Sequence, residues 1–131
     1  MGVALDTNVL VRYIMQDDKA QAKKASTVIE GLTSDSPAFI SGIVLCELNW
    51  VLKSFYKMPK KDRVDTLQDI LSVAVFDVEA LESCIRALKC YEQGKADFSD
   101  YLIQDIGRIH GYETLVTFDK DAQKSKGFKG L

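Results

Sequence analysis

Val3-Ala4-Leu5-Asp6-Thr7-Asn8-Val9-Leu10-Val11-Arg12-Tyr13-Ile14 opens on a short apolar run, closes that run with an acid and begins a helical apolar pattern almost at once. It reads as strand, sharp turn and helix, with Asp6 at the carboxyl end of the strand.

Working outward, the same alternation repeats. Asp17 and Asp18 offer caps for a second helix, with Ala20, Ala25, Val28 and Ile29 as its apolar stripe and Gly31 at its end. The polar turn Thr33-Ser34-Asp35-Ser36-Pro37 precedes a buried-strand candidate, Ala38-Phe39-Ile40, and Ser41 is placed to cap a helix reaching about Phe55 and carrying Glu47. Lys57 to Lys61 interrupts the pattern, and Val64, Leu67, Ile70 and Leu71 resume it at helical spacing. Val73-Ala74-Val75-Phe76 is the third strand candidate, and a helix is expected over 78–91. Gly94 then separates off Asp97-Phe98-Ser99-Asp100, which begins a last helix running to Arg108. Thr114-Leu115-Val116-Thr117 reads as a fourth strand, followed by Phe118-Asp119-Lys120-Asp121 and a Lys-rich end.

Short, continuously apolar strands separated by helices predict an α/β three-layer sandwich: a mostly parallel sheet of four to five strands with helices on both faces. No repeat or linker divides residues 1–131, so one domain is expected. Apolar residues make up 47% and charged residues 27%, which excludes disordered and collagenous classes. No apolar run reaches the roughly 18 residues of a membrane span, and no basic stretch leads into a signal-type core, so a cytoplasmic protein is expected. Cys46, Cys84 and Cys90 lack the close pairing of zinc or disulfide frameworks and are expected to be reduced and packed inside. A net charge of −2 argues against binding nucleic acid chiefly by coating its phosphates with Lys and Arg, so any such function must come from a site.

Four acids are candidates for that site. Asp6 and Asp119 directly follow strands, where open parallel sheets collect their ligands. Glu47 lies in Ile43-Val44-Leu45-Cys46-Glu47-Leu48, where apolar neighbours would make an unpartnered glutamate costly. Asp100 falls in a first helical turn, where negative charge is favoured, and Asp97 is the better cap for that helix. Clustered carboxylates repel unless a cation offsets them, and hard oxygen donors select Mg²⁺ or Mn²⁺. Such a site activates water and stabilises an in-line displacement at phosphorus without a nucleophilic side chain. That suits a chain with one histidine, no Ser/His nucleophile motif and no phosphate-binding glycine loop.

Leu5 to Tyr13, Ser41 to Glu47, Asp97-Phe98-Ser99-Asp100 and Thr117-Phe118-Asp119 resemble, in order and spacing, the motif series of PIN-domain ribonucleases. Among these the chain is most similar to VapC toxins of bacterial and archaeal toxin–antitoxin modules, over essentially its whole length. The resemblance implies a parallel sheet flanked by helices, Mg²⁺- or Mn²⁺-dependent cleavage of RNA, frequent homodimers and an antitoxin that occludes the site. It makes Asp6, Glu47, Asp100 and Asp119 the metal-binding acids, with Asn8 and Thr117 as supporting polar residues. Asp97 and Asp121 stand close enough in sequence to compete for the metal.

Other readings stand beside this one. Asp6 before Thr7 and Asn8 also suits a helix cap, and Glu47 has Lys53 as a conceivable ion-pair partner. Trp50 fits core packing, a dimer interface or stacking on an RNA base. His110 reads as a helix-end surface residue, Arg12 as a phosphate or antitoxin contact or a surface ion pair, and the lysines from Lys120 to Lys129 as an RNA guide or a solvated tail. Three further function classes stand beside it: a PIN-fold module that binds RNA or protein without turnover, a receiver-type phosphoryl acceptor using Asp77, and a Mg²⁺-dependent phosphatase of the haloacid-dehalogenase type, which wants a second acid where Asn8 stands. The receiver class usually wants paired acids after strand one, where Thr7 follows Asp6.

Overall fold

The computed structural model describes residues 2–131. Its elements run β1 (Val3–Ala4), α1 (Thr7–Met15), α2 (Lys19–Glu30), β2 (Ala38–Ile40), α3 (Gly42–Ser54), α4 (Lys60–Leu71), β3 (Phe76–Val78), α5 (Leu81–Gln93), α6 (Phe98–Ile109), β4 (Leu115–Thr117), a 3₁₀ turn (Ala122–Lys124) and β5 (Phe128–Gly130).

Local chemistry sets most of the helix starts. Asp6 Oδ1 accepts from the Thr7 N–H at 2.9 Å, Asp18 Oδ1 from the Gln21 N–H at 3.0 Å, and Ser41 Oγ from the Ile43 N–H at 3.1 Å. Each satisfies a backbone donor that a helix N-terminus otherwise leaves unpaired. Pro59 precedes α4, where its fixed φ and missing N–H cost the helix nothing.

β2 is central, paired in parallel with β1 (Val3↔Ala38) and with β3 (Ala38↔Phe76, Ile40↔Val78). Ala38 and Ile40 are fully buried while Phe39 between them is partly exposed, the alternation a pleated strand imposes. β4 and β5 also pair in parallel, Leu115↔Phe128, as a separate two-stranded sheet. All the strand pairings are thus parallel, but the strands hydrogen-bond as three and two rather than as one ladder. β1 spans only two residues and Val3 is half-exposed, so its outer edge offers little backbone to another strand. The smaller sheet is anchored instead through α6, where Tyr101 meets Phe128 edge to face with ring centroids 5.7 Å apart.

One core joins Leu10 and Val11 of α1, Leu45, Leu48 and Leu52 of α3, Leu67 of α4, and Phe98 and Leu102 of α6. Each fully buried side chain of this size contributes about 1.5–3 kcal/mol relative to exposure.

The structure corrects several expectations. The third strand lies at Phe76–Val78, because the sequence 74–75 turns before Phe76 pairs with Ala38. Asp77 is therefore inside a strand rather than after it, and the acid beyond its end is Glu79. In α2 the buried stripe is Ala22, Ala25 and Ile29, with Ala20 and Val28 outside it. Cys84 is buried as expected, but Cys46 is half-buried and Cys90 exposed. The segment after Asp119, read as a Lys-rich end, forms the 3₁₀ turn and β5.

Candidate metal-binding carboxylate site

Asp6 stands where β1 turns into α1, exposed and tied by Oδ1 to the Thr7 peptide. The capping role and the position at a strand end therefore coincide in one residue. Thr7 is buried, and its hydroxyl donates to Glu47 Oε1 at 2.6 Å. Asp6 and Glu47, far apart in the chain, thus meet on a single threonine.

Glu47 lies on the outward face of α3, which turns Val44, Leu45 and Leu48 inward. The apolar setting suggested by its sequence neighbours is corrected by the helix rotation: Glu47 is exposed. Lys53 does not pair with it but with Asp97, at 3.6 Å, which commits Asp97 to an ion pair and to starting α6.

Asp100, in the first turn of α6, is partly buried, and its Oδ2 accepts from the Asp97 N–H at 3.1 Å. Burial pushes its carboxyl above the usual range; that hydrogen bond pulls it down, and the negative charges of Asp119 and Asp97 push it up again, with a net rise. Asp119 Oδ1 accepts from the N–H groups of Asp121 and Ala122 at 2.9 and 2.8 Å, and the Asp119 N–H donates to Thr117 Oγ1 at 3.0 Å. Thr117 therefore shapes the loop that holds Asp119.

Cys46, half-buried beside Glu47 in sequence, has its thiol pushed up to about 11 by burial and then by the charges of Asp100 and Glu47. The field of both acids is felt at this one residue. Asp6 and Glu47 are thus linked through Thr7, and the charge of Asp119 acts on Asp100. Among the described residues no three His, Cys, Asp or Glu side chains converge closely enough to form one metal cage. The donor set nevertheless fits Mg²⁺ or Mn²⁺ in kind: all oxygen, and in pairs, as suits ions usually held by one or two carboxylates plus water and substrate phosphate.

Asn8 is exposed and lines a groove of about 460 Å³ with Arg12, Trp50, Phe55 and Tyr56. Trp50 is 66% exposed, which overturns its core reading. Arg12 Nε donates to Gln21 at 2.6 Å and Nη1 pairs with Asp17 at 3.4 Å, so the surface ion pair is present. His110 ends α6 with Nδ1 2.8 Å from the Ile106 carbonyl oxygen. Asp121 is exposed beside Asp119.

Two residues that the sequence did not single out emerge here. Thr7 stood in plain view between Asp6 and Asn8, but its partner Glu47 comes from another helix. Glu79 Oε1 accepts from the Gly42 N–H at 2.9 Å, fastening the start of the helix that carries Glu47.

The fold is that of an α/β domain with Asp6 and Asp119 just beyond strands, Asp100 in the first turn of α6 and Glu47 within α3. The PIN domain family matches residues 3–128, and the chain belongs to that family. It is similar to the VapC ribonuclease of Aquifex aeolicus (strain VF5), 26% identical over 125 residues, covering 95% of this chain and 92% of that protein. It also aligns with the crystal structure of VapBC2 from Rickettsia felis bound to a DNA fragment from their promoter, with 20% identity and a TM-score of 0.39, over 100% of this chain and 98% of that one. No helix is long and apolar enough to cross a membrane among the described residues.

Proposed function

We propose that this chain is a divalent-metal-dependent endoribonuclease and the toxin of a toxin–antitoxin module, a single PIN domain with Asp6, Glu47, Asp100 and Asp119 as its metal-binding acids. The observation that supports this most is the pairing of those acids: Thr7 joins Asp6 to Glu47, and Asp119 acts electrostatically on Asp100. Family membership and the VapC ribonuclease relative support the reaction class.

When bound, Mg²⁺, or Mn²⁺ in its place, supplies acidified water and positive charge beside the scissile phosphodiester. The chain's own part is to hold four carboxylates in orientation. Asp6 is held by the start of α1, Glu47 by Thr7, Asp100 by the first turn of α6, and Asp119 by the loop after β4. Asn8, Thr117, Asp97 and Asp121 lie in the supporting surroundings. The partners in this reading are an RNA substrate, a cognate antitoxin and a second copy of the chain, working in the cytoplasm. Exposed Ile43, Trp50 and Phe55 on and just after α3 offer apolar surface to a partner.

A second reading, a PIN-fold module that binds RNA or protein without turnover, is favoured by one observation: no three of the acids converge. Labelled total RNA incubated with purified, antitoxin-free protein and Mg²⁺, Mn²⁺ or EDTA, beside Asp100→Asn, separates the two. Discrete metal-dependent fragments that vanish in the variant are expected; intact RNA under every condition would overturn the nuclease in favour of the binding module.

A further inference from the structure

We infer that Thr7 is the positioning residue of the acidic site, its hydroxyl setting the Glu47 carboxylate and its peptide N–H setting that of Asp6. The inference rests on the nuclease reading above, because it concerns two of the acids assigned there to the metal.

Thr7 is only 7% exposed, whereas both acids it touches are exposed. Its O–H to Glu47 Oε1 distance of 2.6 Å lies in the range of charge-assisted O–H···O⁻ bonds, and its N–H reaches Asp6 Oδ1 at 2.9 Å. A threonine deeper in a helix commonly returns its hydroxyl to the carbonyl one turn back. Thr7 is the first residue of α1, with no helical turn behind it, so its hydroxyl serves a side chain from α3 instead.

The energetic consequence falls on Glu47. An exposed glutamate samples many rotamers, and a ligand that must be ordered at the moment of binding weakens affinity. The Thr7 bond orders it beforehand. One residue also sets the spacing between the two carboxylates, since both anchored oxygens rest on it. Asp6 Oδ2 and Glu47 Oε2 make no hydrogen bond among the described residues, which leaves one oxygen of each for a cation. This is the outer support that keeps metal ligands oriented, and its removal in metalloproteins typically costs about 10–100-fold in metal affinity or activity.

The test compares wild type, Thr7→Val, Thr7→Ser and Glu47→Gln as full-length protein. Mn²⁺ binding is read by electron paramagnetic resonance of the free ion, folding by urea titration, and single-turnover RNA cleavage as a function of Mn²⁺. Thr7→Val removes the hydroxyl at nearly constant shape, and Thr7→Ser keeps it. Thr7→Val is expected to bind Mn²⁺ about tenfold or more weakly, with cleavage recovered at high Mn²⁺, while Thr7→Ser stays near wild type. A purely structural role would move the urea midpoint and leave the Mn²⁺ affinity of the folded protein alone. Thr7→Ala provides the same comparison if valine disturbs the local packing. Wild-type Mn²⁺ affinity in Thr7→Val, beside lost affinity in Glu47→Gln, would overturn the positioning role and leave the nuclease standing. Equal weakening in Thr7→Ser and Thr7→Val would also overturn it. Wild-type protein that binds no Mn²⁺ would overturn both readings.

Discussion

Arg63 is 6% exposed and no carboxylate pairs with it among the described residues. Its guanidinium is satisfied by neutral acceptors: Tyr91 Oη at 2.7 Å from Nη2, Asn49 Oδ1 at 3.2 Å from Nε, and the Met58 carbonyl oxygen at 2.5 Å from Nη1. A buried charge held this way depends on each acceptor, so Tyr91→Phe, which removes only one oxygen, should cost about 1–3 kcal/mol in urea unfolding. Asp105 shows the opposite arrangement, a buried acid between Arg86 at 3.0 Å and Arg108 at 3.1 Å. Burial pushes its carboxyl up, but hydrogen bonds from Arg86, Ser83 and Arg108 outweigh this and hold it below the ordinary range. A depressed folded-state pKa stabilises the fold above the unfolded value, near 3.9, and that contribution is lost as pH falls through the folded value. Asp105→Asn should therefore be less stable than wild type at pH 7, with the gap shrinking in urea titrations carried into strong acid. A gap that stays constant with pH would show that the arginines do not act through the Asp105 charge.

At the scale of the element, α3 shows how rotation about a helix axis assigns roles that a linear window cannot. Leu48 is fully buried and Trp50, two residues on, is 66% exposed. Leu48→Ala should cost about 2–5 kcal/mol, whereas Trp50→Ala should stay within about 0.5 kcal/mol; parallel urea titrations read both. Near-equal losses would mean that Trp50 is covered, as in an obligate dimer. At the other end of the chain, Gly127 has φ +86 and its carbonyl oxygen accepts from the Leu115 N–H at 2.8 Å, which starts the pairing of β4 with β5. Gly127→Ala should cost about 1–2 kcal/mol from the left-handed backbone alone, measured as a lowered thermal midpoint. Its added methyl would also press on the Gln104 side chain. Caps were legible because they act within a few residues: Asp6, Asp18 and Ser41 are where the sequence places them. The third strand was not, because the apolar window 73–76 is as strand-like as 76–78 and only pairing with β2 selects between them.

Across the whole molecule, the parallel α/β character follows from the alternation of apolar runs and helices, and it is what the structure contains. The motif order was likewise sufficient to assign the chain to the PIN family, which matches residues 3–128. Asp6, Glu47, Asp100 and Asp119 could each be nominated from the sequence, since strand ends, helix starts and an acid among apolar neighbours are all local features. What tertiary structure decided is which of them share a partner. Thr7 reaches Glu47 only because α3 packs beside α1, and Asp100 feels Asp119 only because β4 follows α6 back toward the acids. The division of the five strands into two sheets was decided there too, as strand pairing depends on which backbone edges remain open after the helices dock. Caps, periodicity and motif spacing act through a few neighbouring residues and are therefore written in the chain. Side-chain exposure, strand register and the pairing of distant acids are settled by long-range contacts that no short window of sequence contains.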